Sequence, residues 1–214
     1  MKQENSRKHA GLLWITMGLL LIAAALFLAS YNLYDGLRAE QAAGQAADKL
    51  DAYLLSEAAP EVPTDPAGER TAMPDYVLCP HMEMPTLTIN GTDFIGVLRI
   101  PALALELPII SEWNDSHLKT APCRYSGSAY LHNLIICGHN YTSHFGNLKN
   151  LREGDIATFT DMDGNVFTYR MVERETLPPT SIDAMESGDW DLTLFTCTMG
   201  GQSRVTIRFE LEEN

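Results

Sequence analysis

Twenty-one consecutive residues without a charge, GLLWITMGLLLIAAALFLASY from Gly11 to Tyr31, dominate the hydrophobic pattern of the chain. At 1.5 Å rise per residue, ~20 apolar residues cross a hydrocarbon core of ~30 Å, so the run predicts a transmembrane helix. Trp14 near one end and Tyr31 and Tyr34 at the other suit the two membrane interfaces. From Leu37 to Ala59 the pattern loosens. Ala, Glu, Gln and Asp prevail, with Leu37, Leu50, Tyr53 and Leu54 as scattered apolar points. Alanine favours helix, which predicts a stalk helix with a thin apolar stripe. Pro60, Pro63, Pro66 and Pro74, with Gly68 among them, then mark a linker that continues neither helix nor sheet.

Ordered structure is expected to resume near Thr86 to Phe94, and from there the pattern is that of strands. Phe94–Ile100 and Leu103–Ile110 are apolar, β-branched runs split by Pro101, and Asn133–Cys137 is a short buried run that stops at Gly138. Asp155–Thr160 and Val166–Glu173 flank Asp163-Gly164-Asn165, a hairpin signal. Asp191–Cys197 and Ser203–Glu210 follow, separated by Thr198-Met199-Gly200-Gly201-Gln202. Helical material is brief: Ser143–Leu151, where Phe145, Leu148 and Leu151 recur every three residues, and Ser181–Met185. Many short strands with turn signals predict a sandwich or a barrel, and barrel is the preferred reading. The expected organisation is a tail over 1–10, a membrane segment over 11–34, stalk and linker over 35–85, and a mostly β domain over 86–214.

Charge then orients the chain. It carries 28 acidic against 15 basic residues, a formal charge of -13, which argues against nucleic-acid binding because phosphate contacts need clustered Lys and Arg. Lys2, Arg7 and Lys8 precede the apolar run with one acid, Glu4. The positive-inside rule therefore predicts a cytoplasmic N-terminus and an extracellular remainder. A cleaved signal would have a shorter apolar core, ~7–15 residues, and a small-residue cleavage site, so a retained anchor is the preferred reading. With one acid and three bases before residue 32, the exported part keeps 27 acids and 12 bases, a charge of -15. A basic residue at a site there stands out.

Cysteines occur at 79, 123, 137 and 197. An exported protein can form disulfides, and sequence does not give connectivity. Cys137, inside LIIC, reads as a buried small hydrophobe. Cys79 with Cys123 remains an open pairing. Cys197 differs, because it ends a strand at the mouth of a Gly-containing loop, where a thiol is both held and reachable. A nucleophilic thiol needs a nearby base or cation. His81, His117, His132, His139 and His144 are the candidates, and His139 caps the end of the strand NLIIC-Gly138. Acyl transfer also develops negative charge on a carbonyl oxygen. Arg204, starting the strand after Cys197, lies within reach if the two strands pair at the usual ~4.8 Å.

In combination these residues resemble a family. Thr193-Leu194-Phe195-Thr196-Cys197 resembles the TLxTC signature of sortases, the membrane-anchored cysteine transpeptidases of Gram-positive bacteria, with Arg204 where that family's arginine follows. Gly138-His139-Asn140 is similar to its histidine loop, Phe145 through Asp155 to the segment after it, and Phe94–Pro101 to its opening strand. The resemblance covers about residues 90–210 together with the N-terminal anchor. It implies a closed eight-stranded β-barrel with short helices, preceded by a transmembrane helix. It further implies cleavage of an LPxTG-like sorting signal through a thioester on Cys197, with His139 as acid and base and Arg204 holding substrate backbone or oxyanion. Thr196 is expected to help position substrate or thiol. The implied partners are exported proteins bearing C-terminal LPxTG-like signals and a cell-wall amine, from a peptidoglycan cross-bridge or lipid II. With no second apolar anchor in the sequence, wall anchoring fits better than pilus assembly.

No cofactor and no metal is expected. Asp161-Met162-Asp163-Gly164-Asn165 hints at calcium but lacks the spacing and terminal Glu of an EF-hand loop, so a hairpin turn is preferred. Leu177-Pro178-Pro179-Thr180-Ser181 looks like a sorting signal itself but reads as a loop. Two alternatives stay open on the residues alone: a cell-surface cysteine peptidase that releases peptide to water, and a non-catalytic anchored binding domain with disulfide-bonded cysteines.

Overall fold

The computed structural model describes residues 2–57, 73–198 and 200–212, with side chains from Leu13 onward. The predicted linker prolines Pro60, Pro63 and Pro66, and Gly68, lie outside the described residues. The chain forms two compact units, divided between Arg38 and Ala39.

The first unit is the N-terminal part of helix α1 (Lys2–Glu57). Its apolar side chains, Leu19 to Leu28 among them, are exposed, and among the described residues α1 is the one helix long and apolar enough to cross a membrane. Such exposure suits lipid contact and would be unfavourable in water.

The second unit is built on strands β1 (Leu87–Ile89), β2 (Thr92–Ile100), β3 (Leu105–Ile110), β4 (Cys123–Ser126), β5 (Leu134–Gly138), β6 (Ile156–Asp161), β7 (Val166–Leu177), β8 (Leu192–Cys197) and β9 (Arg204–Leu211). Neighbours run β2-β3-β4-β5-β8-β9-β7-β6, and β6 pairs back onto β2. The result is a closed eight-stranded barrel, with β1 as a short hairpin partner on the outer edge of β2. Closure removes the open edges that a flat sheet of this size would expose.

Alternation explains which side chains fill it. On β6, Ala157, Phe159 and Asp161 are buried between less buried neighbours, and on β7 Phe167, Tyr169 and Met171 do the same. With Leu98, Ile100, Leu194, Ile207 and Phe209 they make one continuous core. Gly96 sits at the seam, opposite Asp161, where an added Cβ would lie 2.2 Å from the Thr160 carbonyl oxygen. Only glycine lets β2 and β6 approach so closely. Asp161 closes the β6–β7 turn: it accepts from the Asp163 and Asn165 amides, from Asn165 Nδ2, and from the Tyr130 hydroxyl at 2.7 Å.

Two strand contacts are parallel, β3–β4 and β5–β8, and both require crossovers. The first crossover carries helix α3 (Asp115–Leu118); the second contains the β6–β7 hairpin and helix α4 (Ile182–Glu186). Helix α2 (Asp75–Leu78) docks through Tyr76, stacked on Tyr130 at 4.7 Å and close to Phe167. Phe167 opens β7, whose far end pairs Leu177 with Arg204, so α2 lies at the strand ends remote from Cys197.

Residues 39–57 of α1 belong to the barrel unit. Ala39, Ala43, Ala46, Ala47 and Leu50 recur on one helix face and are buried, and Asp51 accepts from Arg99 at 2.5 Å. Small alanines let the helix lie close against the barrel wall, a stripe that counting only large apolar residues misses. Ser143–Leu151 also departs from expectation. It forms a succession of tight turns ending in a 3₁₀ turn at Leu148–Asn150. The three-residue recurrence of buried Phe145, Leu148 and Leu151 suits the three residues per turn of that geometry, not the 3.6 of an α-helix.

Candidate active site

Strand register assembles the site. In β8, Leu192 and Leu194 point into the barrel, so alternation turns Thr193, Phe195 and Cys197 outward. Across β8–β9 the outward rows meet in three pairs: Thr193 with Arg208, Phe195 with Thr206, and Cys197 with Arg204. On the other side β5 runs parallel to β8 and sets Gly138 beside Thr196. His139, the next residue after β5, therefore leaves its strand beside Cys197. The three residues singled out from the sequence converge at one end of three neighbouring strands, although 58 positions separate His139 from Cys197. Cys197 and His139 are both half-buried, reachable yet held.

Thr196 lies on the interior face with Leu192 and Leu194. It is buried, and its hydroxyl has no hydrogen-bond partner among the described protein atoms.

The three outward pairs differ in cover. Arg208, 1% exposed, is roofed by α4: its guanidinium donates to the Ala184 and Met185 carbonyls at 2.6 and 2.8 Å, to Thr193 Oγ1 at 2.9 Å and to Glu175 Oε1 at 2.8 Å. Thr206 is also buried, its hydroxyl turned to the Met185 sulfur at 3.9 Å. Phe195 and then Cys197 with Arg204 emerge from under this roof. Arg204 Nη1 donates to the Gly201 and Ser203 carbonyls at 3.4 Å, which keeps the guanidinium against the β8–β9 loop. That loop is closed by Thr198, whose amide and hydroxyl both meet Ser203.

Opposite α4 the wall is aromatic. Phe195 meets Tyr125 edge-on at 5.3 Å, and Tyr125 stacks with Trp113 at 5.9 Å. Trp113 and Tyr125 in turn border a cavity of about 550 Å³ that also touches His81, Glu83 and Arg124. Aromatic rows of this kind supply rigid apolar contact for an extended chain. Nothing in the sequence pattern marked Trp113 and Tyr125, because β4 reads as loop: Pro122 precedes it, Gly127 follows, and its residues are Cys-Arg-Tyr-Ser.

The histidine loop is tightly built. Phe145 N donates to the His139 carbonyl at 3.1 Å, and His144 N and Gly146 N both donate to the Tyr141 carbonyl. A Cβ on Gly138 would come within 2.7 Å of the Phe145 ring, which packs over the end of β5. His144 is fully buried, and neither ring nitrogen makes a well-formed hydrogen bond, the Ala39 carbonyl being only a weak partner. Burial pushes its imidazole down to about 4; the nearby His139 pushes the same way, and the Ala39 carbonyl weakly opposes them. His144 is therefore neutral at physiological pH. Because its folded value lies below the ordinary ~6.5, the unfolded chain binds the extra proton first, and stability falls as pH drops from about 6.5 to about 4. The expected loss over that window is about 3 kcal/mol. Denaturant midpoints measured across that range check it, and His144→Phe should flatten this part of the profile.

All four cysteines are free thiols. Cys123 and Cys137 face each other across β4–β5 and are buried, and burial is the main cause that pushes Cys137 up to about 12 and Cys123 higher still. Such thiols are poor nucleophiles. Cys79 is exposed and Cys123 is buried in the sheet, both as free thiols, so the pairing left open by the sequence is not formed. Among the described residues no group of three or more His, Cys, Asp or Glu is arranged to hold a metal ion.

Known structures share this architecture. A sortase D5 transpeptidase of Clostridium perfringens superposes with a TM-score of 0.51 at 23% identity, over 59% of this chain and 83% of its own. Sortase C of Streptococcus pneumoniae gives 0.52 at 20%, over 63% and 78%, and sortase A of Corynebacterium diphtheriae 0.52 at 18%, over 80% and 84%. No curated protein sequence matches. At these identities the superpositions establish the fold alone. The sequence profile of the Sortase domain, however, matches residues 98–212, more than half of the chain and all of the barrel from mid-β2 onward. On that match and this barrel, the chain belongs to the sortase family of cysteine transpeptidases.

Proposed function

We propose that the protein cleaves an LPxTG-like sorting signal on exported proteins and transfers the shortened protein to an amine of the cell wall. The strand register that gathers Cys197, His139 and Arg204 is the observation supporting this reading. Cys197 Sγ, as thiolate, attacks the carbonyl carbon of the Thr–Gly bond, and the carbonyl oxygen takes the negative charge. Arg204 offers its guanidinium to that oxygen or to the substrate backbone, acting where charge develops. As the C–N bond breaks, His139 gives its proton to the departing glycine amine, leaving a thioester on Cys197. An incoming amine, from a peptidoglycan cross-bridge or lipid II, attacks the thioester carbonyl. It loses its proton to His139, and the thiolate is released. No cofactor is needed for this balance.

The signal would lie along the outer face of β8, between the α4 roof and the Tyr125–Trp113 wall, and Thr196 would support the strand end from the interior. The N-terminal part of α1 would anchor the enzyme as a single pass with Lys2, Arg7 and Lys8 on the cytoplasmic side, keeping the barrel close to the wall-assembly surface. Incubation of the full chain in micelles with LPxTG-type peptides and an amine, followed by mass spectrometry, tests the reading. The expected result is an acyl-enzyme on Cys197 and a product in which the amine replaces glycine. Products carrying only added water would mean a peptidase, and absence of any acyl-enzyme with folded protein would overturn both.

A further inference from the structure

The loop after β5 carries three rings in a row. His139 and Tyr141 have ring centroids 5.0 Å apart at 45°, and Tyr141 and His144 lie 5.4 Å apart at 54°. Tyr141 is half-buried between its neighbours, and His144, at the base, has no exposed surface. The backbone holds the order of the rings fixed: the Tyr141 carbonyl receives two amides, and the His139 carbonyl receives the Phe145 amide. A Cβ on Gly146 would clash at 2.5 Å with the Asn140 carbonyl oxygen, so the loop has no slack to close differently. A buried histidine with no better polar partner than a weakly placed carbonyl is an expensive way to fill space. What it does present here is a flat, uncharged ring packed beside Tyr141.

We propose that Tyr141, braced by His144, is a positioning residue that fixes the direction of the His139 imidazole and favours its protonated form. The electron-rich face of a tyrosine attracts a cation within about 6 Å of its centroid, and the observed 5.0 Å falls inside that reach. Ionisable groups beside His139 include Tyr141 and His144 in its own loop, Cys197 on β8 and Arg204 on β9. Arg204 opposes a second positive charge nearby, so a ring that supports the imidazolium matters most there. His144, being neutral, braces without adding to that repulsion. This inference rests on the catalytic role proposed for His139, but its test does not.

The full chain in micelles, labelled with ¹⁵N-histidine, gives the His139 titration midpoint by NMR without any substrate. Tyr141→Phe, which keeps the ring, should leave the midpoint and turnover near the wild type. Tyr141→Leu should lower the midpoint by about half a pH unit, as expected for loss of a cation–π contact. The limb of the kcat/KM profile belonging to His139 should move with it. It should also lower kcat about fivefold to tenfold with KM within twofold, because a misdirected acid costs more than the contact alone. His144→Phe should behave as wild type and His144→Ala as Tyr141→Leu. An unchanged His139 midpoint in folded Tyr141→Leu overturns the proposal, as does a lowered midpoint in His144→Phe, which would assign the effect to the His144 nitrogens. If the wild-type chain transfers no peptide, the catalytic reading fails, while the midpoints still decide the positioning.

Discussion

Cys197→Ala is expected to lose acyl-enzyme formation altogether and to reduce peptide transfer by at least ~10³-fold, leaving only what substrate binding and the remaining groups supply. The loss is chemical. Cys197 is half-exposed at the end of β8, so removing its sulfur empties no core space, and the melting temperature should stay within about 2 °C of wild type. The other thiols provide the contrast. A thiol reagent added to the native protein should modify Cys79 and Cys197, and modification of Cys197 alone should inactivate. Cys123 and Cys137 should react only after unfolding, since both are buried and Cys137 holds its proton up to about 12. Rapid native labelling of Cys137 with loss of activity would remove Cys197 from the nucleophile's role.

The second large effect falls on a residue that touches no reacting atom. Arg208→Ala should lower stability by about 3 kcal/mol and the melting temperature by roughly 6–12 °C. Its guanidinium satisfies two carbonyls at the end of α4, the Thr193 hydroxyl and the Glu175 carboxylate, and all four lose their partner at once. Glu175 is 31% exposed and can rehydrate, which keeps the cost below that of a fully buried pair. The same clamp holds α4 over the outer rows of β8 and β9. Loss of the clamp should therefore raise KM for a signal peptide more than it lowers kcat. Arg208→Lys should recover little, because one ammonium cannot span four acceptors lying in different directions. Thermal melts combined with steady-state kinetics check both halves. A variant as stable as wild type would show that α4 is held by other contacts.

Much of this was legible in the chain. Strands β2, β5, β6, β8 and β9 follow directly from apolar, β-branched runs bounded by Gly, Pro or Asn, and TLFTC with Arg204 and GHN singled out three candidate residues that the register then brings together. The failures have physical causes. β4 is four residues of mixed polarity after a proline, held by its neighbours on either side and not by its own composition. β7 continues past Glu173 to Leu177 because β9 supplies partners as far as Arg204, a tertiary cause that no local pattern carries. The barrel-facing side of α1 is written in alanines, which count as helix formers before they count as an apolar stripe. Arg208 carries no mark in the sequence, since nothing local says that α4 will come to rest above it.

The parallel pairing of β5 with β8 also bears on when the three candidate residues come together. His139 directly follows β5, which precedes β6 and β7 in the chain, whereas Cys197 and Arg204 arrive only after the β6–β7 hairpin and α4. Because β8 lies between β5 and β9, Cys197 comes to lie beside His139 and Arg204 only once β8 has paired with both strands. Contacts so distant in sequence form late, after the loop entropy of the crossover has been overcome. On the proposed function, an unfinished barrel would therefore carry the Cys197 thiol without its neighbours, and activity would be expected only with the finished fold.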